Sequence, residues 1–380
     1  MNMPKENLRS MPKRPKPIDA IHLDSNMSIK KTDSGSLQWL SPLESPFHIA
    51  GFPWFAQEKK YRRMPSSPAL QMPAPVDYLA NCTAGGQIRF RTNSSRLSLK
   101  VKLYGPSDMY HMPATGQSGF DCYLGEPGEQ YYISTARFDQ NCSEYEVELY
   151  NWNSKREVCV TLNFPLYQGV EEVWVGVDED AEIGTAPSYA NDRPIVIYGT
   201  SITQGGCATR PGMAYPNILS RLIPQEFINL GFSGSGRGEP EVARTIAEIP
   251  NPSMFILDYE ANSGTIEEIS TTLPQFIHIY RERHPDVPIV VVSKIQFAGE
   301  RYYDEMLNLH EGRKRVQEET VMWRRKDGDV NLHFVDGSNL LGEAAEECTV
   351  DGVHPTDLGF WRMAKSLEPV ISKLLASSRG

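Results

Sequence analysis

Residues 195–201 read Ile-Val-Ile-Tyr-Gly-Thr-Ser, a short apolar run that ends in a polar turn containing glycine. Similar apolar runs recur toward the C-terminus, and helical patterns separate them. Continuous apolar strands that alternate with helices are typical of a parallel sheet covered on both faces. We therefore predict an α/β domain with strands near Ile195–Tyr198, Phe227–Leu230, Met254–Asp258, Ile289–Ser293 and Leu332–Val335, and with long helices near Ile266–Arg283, Tyr302–Arg325 and Leu358–Leu375.

A different pattern precedes this region, because apolar and polar residues alternate there. The segments 97–103, 145–149 and 158–164 show this period of two, which is typical of half-buried strands. Turns rich in Gly, Asn and Ser separate the segments, and no helical pattern lies between them. These observations predict an antiparallel β-sandwich. We divide the chain into a polar N-terminal arm at 1–35, a sandwich domain at 36–185 and an α/β domain at 190–380.

The composition excludes several classes of protein. The 380 residues carry 38 Lys+Arg and 48 Asp+Glu, and the formal net charge of −10 repels a nucleic acid backbone. No window holds 18 uninterrupted apolar residues, and no apolar run follows the charged N-terminus, so we predict a cytoplasmic protein that contacts neither nucleic acid nor membrane. The six scattered cysteines are predicted to be separate reduced thiols. The sequence leaves assembly into a homo-oligomer open.

Ser201 follows the first strand of the predicted parallel sheet. Such sheets bind their ligands at the carboxyl ends of the strands. A serine between a strand end and a glycine-rich turn can present its hydroxyl as a nucleophile, because the free N–H groups of the next helix favour a developing negative charge. The alternative is a serine that only caps this helix.

The second and third strands are followed by groups that can donate hydrogen bonds. The turn at 229–238 holds Gly234, Gly236 and Gly238, and glycines let backbone N–H groups approach a ligand closely. This turn is a candidate oxyanion-binding turn, a plain loop or a dinucleotide-binding turn, although its glycine spacing departs from Gly-x-Gly-x-x-Gly. Asn262 offers a side-chain amide that either donates into the same crevice or belongs to a turn.

Asp351 and His354 follow the last strand, in the turn Asp-Gly-Val-His-Pro. A carboxylate three residues before a histidine can accept a hydrogen bond from Nδ1–H and leave Nε2 for a partner. Asp and His are also metal ligands, but the chain contains no His-x-His or His-x-x-x-His pair. We therefore predict that the reaction uses no metal and no cofactor.

The order of these residues resembles the SGNH (GDSL-type) hydrolase family. Gly199-Thr200-Ser201 stands where that family has Gly-Asp-Ser, Gly234 matches its second block, Asn262 its third, and Asp351-x-x-His354 its last. The resemblance implies a three-layer α/β/α fold with a flavodoxin-like parallel sheet. It assigns Ser201, Asp351 and His354 as catalytic residues and assigns the oxyanion hole to Ser201, Gly234 and Asn262.

Two blocks depart from the family pattern. Thr200 replaces the usual Asp, and the third block reads Asp-Tyr-Glu-Ala-Asn instead of Gly-x-Asn-Asp, which makes the role of Asn262 less secure. The α/β-hydrolase fold is the competing serine-hydrolase class, but it requires Gly-x-Ser-x-Gly, and Ser201 is followed by Ile-Thr.

The N-terminal half resembles the β-sandwich that precedes the SGNH domain in one bacterial branch, whose hallmark is a Gly-x-Asp-Leu-Tyr-like stretch. Residues 105–110, Gly-Pro-Ser-Asp-Met-Tyr, stand closest to it, and residues 119–123, Gly-Phe-Asp-Cys-Tyr, are similar. The resemblance implies a jelly-roll-like sandwich. Four of its aromatic residues can stack on a sugar or fill the core, namely Tyr104, Tyr110, Tyr123 and Trp152, and Tyr110 is our candidate substrate contact.

The predicted function is that of a serine esterase that hydrolyses short-chain acyl esters, chiefly acetyl esters of carbohydrates, through an acyl-enzyme on Ser201. Its partner would be a small-molecule or oligosaccharide ester. Members of this two-domain branch include esterases and an acyltransferase, so acyl transfer to a non-water acceptor is one alternative. A catalytically silent carbohydrate-binding protein is another.

Overall fold

The computed structural model describes Asp24, Ser28, Ile29 and residues 36–377. Of the predicted N-terminal arm at 1–35, all residues except Asp24, Ser28 and Ile29 lie outside the described residues. The first half of the described chain forms ten strands: β1 (Leu37–Leu40), β2 (His48–Ala50), β3 (Gln87–Thr92), β4 (Arg96–Leu103), β5 (Asp121–Leu124), β6 (Tyr131–Thr135), β7 (Glu144–Asn151), β8 (Val158–Asn163), β9 (Val170–Asp178) and β10 (Ile183–Thr185).

The ten strands form two antiparallel sheets, as predicted for a sandwich. One sheet has the order β1-β9-β4-β7, and the other has the order β10-β3-β8-β5-β6 with β2 paired to β3. Their facing side chains build one apolar core, which includes Phe90, Leu99, Leu162 and Val175. The expectation of half-buried strands is wrong for β8, where only Val158 is partly exposed. The reason is that β8 is central in its sheet and its Asn163 also contacts Asn217 of the α/β domain.

Three short helices interrupt the sandwich domain: α1 (Phe55–Glu58), α2 (Ala74–Leu79) and α3 (Ala114–Gln117). The expectation that no helix lies between these strands is therefore wrong. Helix α2 is too short for a hydrophobic repeat to be visible, and its Val76 is buried among side chains of the α/β domain. Tertiary packing stabilises this helix more than its local sequence does.

The second half of the described chain alternates strands and helices: β11 (Asn191–Gly199), α4 (Ser201–Gln204), α5 (Tyr215–Leu222), β12 (Gln225–Gly231), α6 (Pro240–Ile246), β13 (Met254–Asp258), α7 (Ile266–Arg283), β14 (Ile289–Val292), α8 (Asp304–Lys326), β15 (Leu332–Val335) and α9 (Asp357–Ser377). The five strands form a parallel sheet in the order β12-β11-β13-β14-β15. This confirms the predicted parallel α/β sheet. We propose that the division between the two domains falls in the connection from β10 to β11.

Successive residues of β11 point to opposite faces of the sheet. Ile195 and Ile197 pack in one apolar cluster with α5 and α9, while Val196 and Tyr198 pack in a second cluster with α6, α7 and α8. The strand is apolar on both faces because helices cover both. The result is the expected three-layer α/β/α arrangement. No helix in the described part of the chain is long and apolar enough to cross a membrane.

The long helices α7, α8 and α9 lie within two residues of their predicted bounds. Helix α7 starts with a capping box in which Thr265 and Glu268 exchange hydrogen bonds. The shorter helices α5 and α6 were missed by the sequence analysis. Each has a proline in its first turn, Pro216 and Pro240, and proline at this position is a common signal for the start of a helix.

Arg63 joins the sandwich region to the parallel sheet. Its guanidinium is fully buried and donates hydrogen bonds to the carbonyls of Leu79, Cys82, Asn229 and Gly231. Burial lowers the pKa of Arg63 to about 10, so the side chain remains charged at neutral pH. The carbonyl dipoles therefore compensate a buried positive charge and hold the end of β12 against the sandwich region.

Asp121 makes a second connection between the domains. Its fully buried carboxylate accepts hydrogen bonds from the side chain of Arg210 at 3.0 Å and from the backbone N–H of Gly212 at 2.7 Å. Asp121 lies in the 119–123 stretch that we singled out in the sequence, and Tyr123 of the same stretch is buried beside Arg210. This stretch holds the domains together.

Candidate active site

Ser201 lies where β11 turns into α4, at the carboxyl edge of the parallel sheet. Thr200 caps this short helix, because its hydroxyl accepts a hydrogen bond from the N–H of Ile202 at 3.4 Å. A Cβ added to Gly199 would lie 2.0 Å from the hydroxyl of Thr203 and 2.6 Å from the carbonyl of Asp258. The turn that presents Ser201 therefore requires glycine at position 199.

Ser201, His354 and Asp351 form a continuous hydrogen-bonded chain. The hydroxyl of Ser201 lies 2.9 Å from Nε2 of His354, and Nδ1 of His354 lies 2.7 Å from Oδ2 of Asp351. A carboxylate only accepts hydrogen bonds, so Nδ1 carries the proton and Nε2 can accept the proton of Ser201. This arrangement can deprotonate the serine hydroxyl.

The turn around Asp351 keeps its carboxylate ionised. Oδ1 accepts hydrogen bonds from the backbone N–H groups of Val353 at 3.0 Å and His354 at 2.7 Å. Partial burial acts to raise the pKa of Asp351, but these bonds and the one from the imidazole outweigh it and hold the pKa below its ordinary value. Asp351 therefore remains a charged partner that orients the imidazole of His354.

Gly234 has a left-handed φ of 65°, and no atom of the described residues lies within 4 Å of the position its Cβ would occupy. Gly236 also has a positive φ, and a Cβ there would lie 2.2 Å from the carbonyl oxygen of Gly199. The glycine turn thus packs directly on the turn that presents Ser201. The oxyanion-binding alternative for this turn stays a prediction.

Asn262 ends the short 3-10 helix Glu260–Asn262, which follows β13. Its side-chain amide donates a hydrogen bond to the carbonyl of Ser235 at 2.6 Å, within the glycine turn. One N–H of the amide is used in this way, and an amide has a second N–H to donate. Asn262 and Gly234 are therefore brought to the same edge of the sheet as Ser201.

A buried carboxylate supports the segment that carries Asn262. Oε2 of Glu260 accepts hydrogen bonds from the backbone N–H of Lys294 and from the side chain of Gln317, each at 2.8 Å. Burial raises the pKa of Glu260. Glu260 is the residue by which the third sequence block departs most visibly from the family pattern, and here it connects β13 to β14 and α8.

The loop between β4 and α3 brings the sandwich domain to the site. The His111 ring meets the His354 ring edge-on at 6.0 Å between centroids, and the Tyr110 ring stacks on His111 at 4.6 Å. Tyr110 is 97% exposed and lines a cavity of about 690 Å³ that extends to Val350, the neighbour of Asp351. A cavity of this size suits a small ligand, and the substrate contact at Tyr110 stays a prediction.

Two of the other candidate aromatics have structural roles. Tyr123 is buried against Arg210, and Trp152 stacks on Tyr150 beside the sandwich core. Tyr104 is exposed.

A larger cavity of about 930 Å³ lies between Phe47, Phe55 and the amino end of β11, and none of the predicted site residues lines it. The smaller cavity, which is lined by His111 next to His354, is therefore the candidate substrate site.

The sequence analysis did not identify His111 or Cys207. Cys207 follows α4, and together with His111 and His354 it forms a group whose nitrogen and sulfur atoms all lie within 4.8 Å of one another. The signal was missed because the three residues are distant in the chain.

All six cysteines are free thiols, as predicted. Burial, and then the charge of Asp351, raise the pKa of the Cys207 thiol to about 12.

Asp258 lies beneath α4 and gives a pH-dependent prediction. Its carboxylate accepts hydrogen bonds from Thr203 and Tyr215, and burial raises its pKa to about 7. The folded protein therefore holds this proton at a higher pH than the unfolded chain, so the stability contributed at this site falls as pH rises from about 4 to about 7. On lowering the pH from 8 to 4, we expect wild-type protein to gain roughly 2–4 kcal/mol of unfolding free energy relative to D258N.

Urea unfolding at a series of pH values measures this difference. The exposed Asp286 provides the control, because D286N is expected to keep the wild-type dependence on pH. Parallel curves for wild type and D258N would contradict the prediction.

A parallel α/β sheet with a serine, a histidine and an aspartate in hydrogen-bonded sequence at its carboxyl edge has the arrangement of a serine hydrolase. Residues 192–372 match the GDSL-like Lipase/Acylhydrolase family, and residues 37–183 match the GxDLY family, described as the N-terminus of SGNH-hydrolase-type esterases. A Bacteroides ovatus protein described as a GDSL-like lipase is 32% identical, covers 90% of this chain and 98% of its own, and superposes with a TM-score of 0.83. The chain belongs to the GDSL-like (SGNH) hydrolase family.

Two further solved structures share the fold. The salicylyl-acyltransferase SsfX3 from a tetracycline biosynthetic pathway is 20% identical with a TM-score of 0.72. A family two carbohydrate esterase from Cellvibrio japonicus is 14% identical with a TM-score of 0.58. Each match covers 90% of this chain and 98% of the other. No protein of curated function matches the sequence.

Proposed function

We propose that this protein is a serine esterase that hydrolyses acetyl and other short-chain acyl esters, chiefly of carbohydrates. The observation that carries the proposal is the hydrogen-bonded chain from Ser201 through His354 to Asp351. In the first step, Oγ of Ser201 attacks the ester carbonyl while Nε2 of His354 accepts its proton. The proton then passes to the leaving alcohol, and the acyl group stays on Ser201 as an ester.

Water completes the cycle by the same chemistry. His354 accepts a proton from the water that attacks the acyl-enzyme, and it returns this proton to Oγ of Ser201 as the acid leaves. Asp351 stabilises the imidazolium form in both halves of the reaction. The proposed chemistry needs no metal and no cofactor.

The oxyanion of each tetrahedral intermediate would be held by the backbone N–H groups of Ser201 and Gly234 and by the amide of Asn262. The hydrogen bond from Asn262 to the Ser235 carbonyl supports this role, because it holds the amide against the glycine turn. Such donors act mainly in the transition state, where the negative charge develops.

We expect N262A to lower kcat for p-nitrophenyl acetate by about 100-fold, or about 3 kcal/mol of barrier. The reason is the loss of one oxyanion donor, with little change in KM because the donor acts on the transition state. The control is N141A, which changes an exposed asparagine of the sandwich domain. A wild-type kcat for N262A would remove Asn262 from the oxyanion hole.

The carbohydrate part of the proposal rests on the sandwich domain. The exposed Tyr110 ring beside the cavity can stack on the apolar face of a sugar, and Gln140 lines the same cavity as a polar contact. Among structures of this fold, one is a carbohydrate esterase by its description. Acetylated oligosaccharides are therefore the first substrates to test.

A substrate screen tests the acyl and alcohol parts separately. We expect p-nitrophenyl acetate to react faster than the butyrate, and acetate to be released from acetylated xylo- or cello-oligosaccharides. Activity restricted to long acyl chains would contradict the proposal.

Product analysis with and without an added alcohol distinguishes hydrolysis from the alternative of acyl transfer. Another structure of this fold is described as an acyltransferase.

Labelling with a fluorophosphonate tests the remaining alternative. Such a probe forms a covalent bond only with an activated serine, so the wild type is expected to be labelled and S201A is not. A catalytically silent carbohydrate-binding protein would show no labelling at Ser201.

A further inference from the structure

Three possible metal ligands meet beside Ser201, and each comes from a different segment. His111 lies in the loop between β4 and α3, Cys207 follows α4, and His354 precedes α9. One ring nitrogen of each histidine and the sulfur of Cys207 all lie within 4.8 Å of one another. Imidazole nitrogen and thiolate sulfur are the donors that zinc and similar cations prefer.

His111 has an unused donor or acceptor atom in this group. Its Nδ1 is buried from solvent and has no hydrogen-bond partner among the described residues. A buried polar atom without a partner is costly and calls for an explanation. A cation bound at Nδ1 would supply the missing partner.

The backbone of Cys207 is held in an uncommon conformation. Its φ of 78° lies in the left-handed region, which residues other than glycine seldom adopt. The preceding Gly206 packs closely, because a Cβ there would lie 3.4 Å from Cδ2 of His354 and 3.1 Å from the carbonyl oxygen of Ser201. The strained residue therefore follows directly on a turn that is packed against the base and the nucleophile.

His354 is already oriented in the way that metal-binding histidines are. Asp351 accepts the hydrogen bond from Nδ1, and this leaves Nε2 as the nitrogen that can bind a cation. Metal-binding histidines usually donate their other ring N–H to a carboxylate or carbonyl, which fixes the ring. The Asp351–His354 pair thus supports proton transfer and metal binding equally.

We propose that His111, Cys207 and His354 bind one divalent cation of the zinc class, and that this cation inhibits the enzyme. The cation bonds to Nδ1 of His111, Nε2 of His354 and Sγ of Cys207, whose proton is released to solvent. The inhibitory part rests on the proposed function, because a cation on Nε2 prevents His354 from accepting the Ser201 proton. The binding part does not depend on it.

The distances and the access route suit such a site. Zinc lies about 2.0 Å from imidazole nitrogen and about 2.3 Å from thiolate sulfur, so the three atoms need to move inward by roughly 1 Å to complete the coordination. His111 also lines the cavity of about 690 Å³, which gives a hydrated cation a path from solvent. Magnesium and calcium prefer oxygen ligands and are not expected to bind.

Direct binding is measured with Co²⁺, which reports thiolate coordination by a charge-transfer absorption band in the near ultraviolet. We expect one equivalent of Co²⁺ to produce this band in the wild type and in S201A, because Ser201 is not a required ligand. The band should be lost in C207S and retained in C142S, which removes the exposed cysteine of the sandwich domain. A wild-type protein without the band, or a C207S protein with it, overturns the proposal.

Inhibition is measured as the Zn²⁺ concentration that halves hydrolysis of p-nitrophenyl acetate, with each variant compared to its own metal-free rate. We expect C207S and H111N to raise this concentration by at least about 100-fold, since each removes one of three ligands. C142S and H278N, which change exposed residues, are expected to behave as the wild type. Equal sensitivity of C207S and C142S to zinc would overturn inhibition at this site.

The two measurements separate two kinds of failure. If the wild type proves inactive on every ester, the Co²⁺ band in wild type and S201A still tests the metal site by itself. If the enzyme is active and no band appears, the proposed function stands and the metal site is rejected.

Discussion

The S201A variant is expected to lose at least about 10⁴-fold in kcat for p-nitrophenyl acetate, because the reaction loses the atom that carries the acyl group. The hydroxyl of Ser201 is the only part removed, and it lies 2.9 Å from Nε2 of His354. KM should change little, since the deleted oxygen contributes mainly to the transition state. Steady-state kinetics with acetate release as a second readout measure the effect.

A matched serine separates loss of the nucleophile from loss of the fold. Ser220 is also buried in the α/β domain, but among the described residues its hydroxyl bonds only to the backbone of its own helix, at the carbonyl of Asn217. S220A is therefore expected to keep a kcat within a few-fold of the wild type. If S201A retained wild-type activity while folded, Ser201 would not be the nucleophile and the proposed mechanism would be wrong.

R63M is expected to destabilise the protein by about 3–5 kcal/mol, the cost of breaking a buried charged hydrogen-bond network from one side. Methionine fills part of the volume but donates no hydrogen bond, so four carbonyls lose the hydrogen bonds that Arg63 donates to them. The melting temperature should fall by about 4–6 °C, because the entropy of unfolding is about 2.1 cal/mol/K per residue over the 380 residues. Differential scanning fluorimetry at fixed protein concentration measures this shift.

The predicted loss of stability in R63M arises from the buried position of Arg63 and is not expected when an exposed arginine is replaced. Arg283, at the end of α7, is exposed, so R283M should change the unfolding free energy by no more than about 0.5 kcal/mol. R63K should restore part of the stability, since an ammonium group reaches fewer carbonyls than a guanidinium. A melting temperature of R63M within about 1 °C of wild type, which by the same principle corresponds to about 1 kcal/mol or less, would show that the network contributes little.

The parallel sheet could be predicted because its signal is local. Each of its five strands is an apolar run in the sequence, and Met254–Asp258 and Leu332–Val335 have their predicted bounds. Helix α7 was predicted with the correct ends, since its hydrophobic repeat is long and its cap is visible in the sequence. Short helices such as α2 were missed because contacts with distant residues stabilise them.

The candidate site was also visible from the sequence, because each predicted residue follows a strand of one parallel sheet. Ser201, Gly234 and Asn262 follow β11, β12 and β13, and the turn with Asp351 and His354 follows β15. The carboxyl ends of parallel strands share one edge, so residues at these positions must come together once the sheet forms. Local sequence patterns and the known topology of parallel sheets therefore predict that these residues lie near one another.

The residues that surround this site could not be predicted from the sequence, because their positions depend on how the two domains pack. The sequence placed Tyr110 among four candidate aromatics and gave no reason to connect His111 with Cys207. The packing of the two domains, which includes the contacts of Asp121 and Arg63 with the α/β domain, brings the loop that carries His111 against His354. Fully buried charged groups at such an interface have no periodic signature in the chain.

By itself, the sequence of this protein determined the parallel sheet, the antiparallel sandwich and the order of the serine, glycine, asparagine, aspartate and histidine at the strand ends. These features follow from the period of apolar residues and from turns a few residues long, which are local properties. The tertiary structure alone decided the cavity beside His354, the exposure of Tyr110 and the meeting of His111 with Cys207. These depend on side-chain packing between segments about 100 or more residues apart, and no local pattern specifies that packing.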